Sequence, residues 1–202
     1  MNAQARKLIT GGLSKPSKMP GYAYNLPATE CKVGAKLVQI PGSVCHGCYA
    51  LKGRYRFPNV KEAMHRRLKS IDGPLWVETM AADINARKSK YFRWHDSGDI
   101  QSLAHLKKIF DVCKLTPDVA HWIPTRESGI LSKLGPEEVP ANLTIRLSAT
   151  MVDGNAPKNS WHLTSTVVTE GASCPAPKQG NECKSCRNCW DQSIKNIAYG
   201  KH

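Results

Sequence analysis

The sequence predicts an α/β fold on a mainly parallel sheet, either open or closed part-way into a (β/α) barrel, with a cysteine-rich C-terminal extension. Three observations carry this. Short runs at Tyr91–His95, Val119–Pro124 and Leu143–Ala149 have strand character, the last with a clean alternation of apolar and polar residues. The stretches between them carry apolar residues at helical spacing, as in Leu103, Leu106, Ile109, Phe110 and Cys113. Seven of the eight cysteines gather into two groups, Cys31/Cys45/Cys48 and Cys174/Cys183/Cys186/Cys189, away from those periodic stretches.

Taken in order, residues 1–20 are basic, carry Gly11-Gly12, Pro16 and Pro20, and read as a loose arm. An α/β core spans residues 21–170. Its first strand lies within Gly21–Leu26, where Tyr22, Tyr24 and Leu26 alternate before Pro27. A short apolar piece follows at Leu37–Ile40. Asn59 with Glu62 reads as a capping box for a helix whose inner face is Val60, Ala63, Met64 and Leu68. Gly73-Pro74 opens a second helix with Val77, Met80, Ala81 and Ile84 inward. Tyr91–His95 runs into Asp96-Ser97-Gly98-Asp99, and Asp99 reads as the cap of the next helix. Cys113 falls on that helix's apolar face and is expected in the core. Val119–Pro124 leads into Thr125-Arg126, and a short helix, Glu127–Leu134, stops at Gly135-Pro136. In Leu143–Ala149, Arg146 faces away from Leu143, Ile145 and Leu147 and needs a partner if it is buried. Ser165–Thr169 is the last expected strand, and residues 171–202 form the cysteine-rich segment. The total is about five strands and about four helices.

The 202 residues suffice for one core with an extension. No apolar run is long enough to cross a bilayer, and residues 1–18 lack the apolar centre of a secretory signal, so a reducing cytoplasm is expected. There, grouped cysteines mean metal more often than disulfides. The formal charge of +13, from 29 basic and 16 acidic residues, favours an anionic partner such as nucleic acid. Lys52, Arg54, Arg56, Arg66 and Arg67 are the expected basic surface. Trp94, Trp122, Trp161 and Trp190 are expected to serve packing.

Chemistry in βα folds gathers at the carboxyl ends of the strands. That rule selects Asp96, Ser97, Gly98 and Asp99, then Thr125 and Arg126, then Ser148 and Thr150, as candidates for holding a cofactor. It also selects Cys31, Cys45 and Cys48 as candidate metal ligands. In the tail, Cys183, Cys186 and Cys189 follow one another at x2 spacing, and Cys174-Pro175 lies a short loop upstream. Four thiolates there suit a tetrathiolate site, and the C-x2-C-x2-C run is closer to an iron–sulfur cluster loop than to paired zinc knuckles. Three thiolates in the first group would leave one iron of a [4Fe–4S] cluster open. Zinc, or one site shared by both groups, is the alternative.

The blocks Lys18-Met-Pro-Gly-Tyr, Gly42-Ser-Val-Cys-His-Gly-Cys-Tyr-Ala-Leu-Lys-Gly-Arg-Tyr, Trp94-His-Asp-Ser-Gly-Asp-Ile-Gln-Ser, Pro124-Thr-Arg, Ile145-Arg-Leu-Ser-Ala, Ser165-Thr-Val-Val-Thr and Cys186-Arg-Asn-Cys-Trp-Asp resemble the phage-encoded gene-product-88 family. That resemblance covers nearly the whole chain and implies a phage or prophage origin. A looser resemblance is to radical S-adenosylmethionine enzymes with an auxiliary cluster. It implies a [4Fe–4S] cluster on Cys31, Cys45 and Cys48, S-adenosylmethionine at its open iron, and an amine-binding turn at Ser97-Gly98-Asp99. Two functions are therefore expected as alternatives: a small radical enzyme with one or two clusters, and a non-enzymatic iron–sulfur or zinc protein that binds nucleic acid or a host protein.

Overall fold

The computed structural model describes residues 1–158 and 161–201. At its centre lie six strands: β1 (Tyr22–Tyr24), β2 (Tyr91–Trp94), β3 (Ala120–Thr125), β4 (Leu143–Val152), β5 (Leu163–Val168) and β6 (Asn196–Gly200). Every neighbouring pair is parallel, and the strands stand side by side in sequence order. The expected parallel sheet is present and is open, with β1 and β6 at its edges. The helices are α1 (Ala3–Thr10), α2 (Lys32–Leu37), α3 (Pro58–Ser70), α4 (Trp76–Ala86), α5 (Leu103–Lys114) and α6 (Ser128–Leu131).

One face of the sheet meets the helices. Tyr24, Phe92, Trp94, Ile123, Leu143, Ile145 and Leu147 pack with Trp76, Met80 and Ile84 of α4 and Leu106, Ile109 and Phe110 of α5. Cys113 is fully buried in the same cluster, as its spacing implied. Buried histidines share this layer. His121 accepts from Trp94 Nε1 at 3.2 Å and lies 2.8 Å from Thr116 Oγ1. Burial holds His105 and His121 down to about 3 and pushes His95 well below its ordinary value.

Several local expectations are corrected. Residues 1–20 are not simply a loose arm, because α1 is capped by Asn2 and ends at left-handed Gly11. Helix α1 packs on α4, where Arg6 pairs with the buried carboxylate of Asp83 at 3.2 Å. Helix α3 begins at Pro58, whose fixed φ suits the first helical position, and no Asn59 cap forms. Helix α5 takes Ser102 as its cap, with the Ser102 hydroxyl accepting from His105 N, so Asp99 is released for another use.

A parallel sheet is covered on both faces. Here the second face presents Ala23, Arg93, Trp122 and Thr144 in one row across four strands. The tail lies against it. Trp190 meets Trp122 and Tyr91, each at 5.2 Å between rings, and donates to the carbonyl of Phe92. Thr144 Oγ1 donates to the carbonyl of Trp190. Arg146 is wholly buried, and its guanidinium donates to the carbonyls of Asn188, Cys189, Asp191, Ile194 and Thr164 at 2.7–3.5 Å. The partner that a buried Arg146 required is thus the tail's backbone.

Two outcomes follow. Arg146→Lys keeps the charge but replaces a planar fork with a point donor, so some of these carbonyls lose their partner at roughly 1–3 kcal/mol each. Urea unfolding should show a loss of about 2 kcal/mol or more; an unchanged midpoint would refute the clamp. The histidines give a pH signature. Their folded values lie below the unfolded 6.5, so the stability they contribute is complete above about 6.5 and is lost as pH falls from there toward 3. Below pH 6 each should remove about 1 kcal/mol per pH unit. Equal stability at neutral pH and at pH about 5 would contradict this.

Candidate functional site

The carboxyl ends of β1 to β4 share one end of the sheet, and the first cysteine group is fastened there from two directions. Glu127, just past β3, accepts from the backbone N–H groups of Lys32 and Val33 at 3.2 and 3.0 Å, at the start of α2. This holds the turn at Cys31. The loop before Cys45 bonds to the far end of β4, through Val44 N to Thr150 O and Val152 N to Gly42 O, with a Ser43–Met151 bridge. Sequence reading missed both α2 and the role of Glu127.

Gly34 lies between the thiols. A Cβ at that position would stand 2.9 Å from Cys31 Cβ, 3.6 Å from Cys31 Sγ and 3.7 Å from Cys45 Sγ. The absence of a side chain is what gives these two sulfurs their room. Cys45 is buried, while Cys31 and Cys48 are half-buried. Burial pushes the Cys31 thiol up to about 12, reinforced by Asp99, Cys48, Cys45 and Glu127. Burial also raises Cys45, against the pull of Arg126.

The expected cofactor residues divide. Asp99 lies beside Arg126, but its carboxylate is occupied. Oδ1 accepts from Thr125 Oγ1 at 2.6 Å and Ile100 N at 2.7 Å, and Oδ2 accepts from Arg126 N at 2.9 Å. Asp99 thus ties the end of β2 to the end of β3. Burial lifts its carboxyl to about 6 against these bonds. Ser97 donates to the carbonyl of Leu26, and Gly98, at φ 78°, sits where a Cβ would strike Leu26. The Arg126 guanidinium donates to the carbonyl of Ala149. Ser148 is on the sheet's second face, 3.0 Å from Ser165, apart from this turn. Burial raises the carboxyl of Asp96, while Arg93 and Arg67 pull it down.

The four tail cysteines form a second neighbourhood. Cys183 N donates to Lys18 O, Cys174 N to Ala198 O and Cys186 N to Cys183 O. Cys189 Sγ lies 3.2 Å from Tyr199 Oη. Burial raises Cys183, as does Cys174, and burial lifts Cys189 to about 11; Arg93 opposes both shifts. Arg93 stacks over Trp122 at 4.5 Å and reaches the sulfur of Met19 at 3.6 Å. It therefore sits between the residue next to Lys18, which receives Cys183, and the Trp122–Trp190 pair beside Cys189.

All eight cysteines are free thiols. Among the described residues no group of three His, Cys, Asp or Glu side chains is arranged to hold a metal ion as it stands. A groove of ≈ 660 Å³ between α1 and α3 has no cysteine in its lining. Arg67, expected on a basic surface, is buried and donates to the carbonyl of Gly12 at 2.6 Å. Trp94, Trp122 and Trp190 are buried and Trp161 packs on the core, as expected. Among the described residues no helix is long and apolar enough to cross a membrane.

A family model described as Gene product 88 matches residues 1–192. No curated protein and no solved structure matches the chain.

The cradle at Gly34 is testable by stability alone. Alanine in a helix interior normally gains up to about 1 kcal/mol over glycine. Gly34→Ala should instead destabilise, because its Cβ meets Cys31 Cβ, and the penalty should shrink in a Cys31→Gly background. A stabilising Gly34→Ala would show that the thiols do not depend on this space.

Proposed function

We propose that this chain, which belongs to the Gene product 88 family, is a phage-type iron–sulfur protein acting in the cytoplasm of a bacterial host. Cys31, Cys45 and Cys48 would hold one [4Fe–4S] cluster, and Cys174, Cys183, Cys186 and Cys189 a second. The observation that carries the reading is the division of seven cysteines into two neighbourhoods, three at the strand ends and four on the second face. In each, neighbouring cysteines oppose the ionisation of a thiol beside them.

The chemistry of the thiols supports a metal role over a nucleophilic one. A catalytic cysteine is poised by a lowered pKa, whereas Cys31, Cys45, Cys183 and Cys189 are all raised. Such thiols become thiolates when a metal centre replaces the proton. One zinc ion would draw its thiolates to about 3.8 Å from each other, given Zn–S bonds of ~2.3 Å. A cluster of several irons spans more space and asks for less inward movement from groups that do not already converge.

A second reading, a small radical S-adenosylmethionine-like enzyme, takes support from the consecutive parallel strand order and from a cysteine triad following β1. Against it, the carboxylate of Asp99 and the hydroxyl of Ser97 are already engaged with protein atoms. A non-enzymatic iron–sulfur or zinc protein is the alternative.

Anaerobic preparation followed by iron, sulfide and zinc analysis tests the reading. Iron and sulfide should be present in near-equal amounts, and Cys31/Cys45/Cys48→Ala should lose about half the iron. Stoichiometric zinc without visible absorption would overturn cluster binding. Loss of all the iron from a still-folded triple variant would point to one shared cluster. In the reduced protein, a change in the electron paramagnetic resonance spectrum on adding S-adenosylmethionine would support the radical enzyme; an unchanged spectrum would remove it.

A further inference from the structure

Between Glu30 and Glu62 the chain contains Lys32, Lys36, Lys52, Arg54, Arg56 and Lys61, and no carboxylate. All six cations are exposed, and among the described residues none of them forms an ion pair. The same stretch supplies Tyr49 and Phe57, which are 46% and 55% exposed; the other large exposed apolar residues among those described are aliphatic. Elsewhere in the described chain the aromatic residues are more deeply buried than these two.

These residues are local neighbours. The 3₁₀ turns Tyr49–Leu51 and Gly53–Arg56 pack on each other, and the second packs on α3. Tyr49 lies edge-on to Tyr55 at 5.8 Å, and its hydroxyl donates to the carbonyl of Asp96, which orients the ring. Phe57 N donates to Arg54 O, and Lys61 N donates to Phe57 O. The Lys52 ammonium lies over Gly47, 3.9 Å from where a Cβ would be. The result is a patch of alternating cations and exposed rings beside the first cysteine group.

We propose that this patch, Tyr49 to Lys61, binds single-stranded nucleic acid. Phosphates would meet Lys52, Arg54, Arg56 and Lys61, and two bases would stack on Tyr49 and Phe57. Cations alone would serve any polyanion. Exposed rings set among them favour a ligand with both a charged backbone and exposed π-faces, and a duplex hides those faces. An acidic protein would use the charge but has no need of two separated flat rings. The proposal stands apart from cluster binding and does not require it.

Fluorescence anisotropy with a short labelled oligothymidylate, at low salt, is the test, using the full chain as isolated. Binding should weaken with salt at a log–log slope of about −3, reflecting roughly four phosphates at ~0.7 each. Tyr49→Ala and Phe57→Ala should each weaken binding about tenfold while leaving the slope unchanged. Arg54→Ser with Arg56→Ser should lower the slope by about 1.4. Duplex DNA of the same length and heparin should compete less well than the single strand. If heparin and duplex compete equally and the Phe57 variant binds as wild type, the patch is a general polyanion surface and the proposal fails. Absence of binding at low salt also overturns it. Phe57 is the safer variant, because its ring is exposed and its substitution leaves the hydroxyl bond of Tyr49 intact.

Discussion

The guanidinium of Arg146 is the constraint on which the second half of the molecule depends. It is a full charge with no water contact, and among the described residues no carboxylate forms an ion pair with it. Five backbone carbonyls take that place, four of them from residues 188–194. A buried charge left unpaired is among the costliest defects a fold can hold, so the tail has little freedom to leave. Carbonyls at the end of a short 3₁₀ turn carry partial negative charge and lack helical partners. One planar fork satisfies several of them together, which an ammonium could not do in the same geometry. Arg146 thus closes the second face of the sheet and delivers Cys189 to its place with the same set of bonds.

The two cysteine groups are held by different physics and lie in different fields. The first is pinned by backbone donors to Glu127 and by a bridge to β4, with Asp99 and Glu127 as negative neighbours and Arg126 as the opposing cation. The second lies over Arg93, with Arg187 acting on it as well. Carboxylates beside the first group disfavour added negative charge, and arginines beside the second favour it. The strand-end site is the one with fewer thiolates and a neighbouring cation in Arg126.

Much of the sheet was legible because its signals are local. Leu143 to Ala149 alternates, and β2 to β5 all lie where pattern placed them, within a few residues. The face of α5, Cys113 included, followed from helical spacing. What escaped notice depends on tertiary contact. Strand β6 has little alternation of its own and is a strand because β5 offers it an edge. Helix α1 is mostly polar, and it packs on α4 where Arg6 reaches the buried carboxylate of Asp83, far along the sequence. Six residues of α2 contain a glycine and make no convincing period; Glu127, more than ninety positions away, supplies the acceptor at its start.

The candidate site shows the same limit in sharper form. The spacing of the cysteines marked both groups, since x2 steps bring thiols to one side of a tight turn. One neighbouring acid takes a role other than the helix cap that its position suggests. Asp99 looks like a helix cap because it precedes an apolar period, yet Ser102 is better placed by three residues and takes that role. With the cap supplied elsewhere, Asp99 turns across to β3 and gathers Thr125, Ile100 and Arg126. Burial among these bonds raises its pKa, and perturbation alone does not identify a ligand-binding acid. Gly34 is the converse case. Nothing in its local sequence distinguishes it from an ordinary helix weakness, and only the two sulfurs beside it reveal that an empty side-chain position is part of the site.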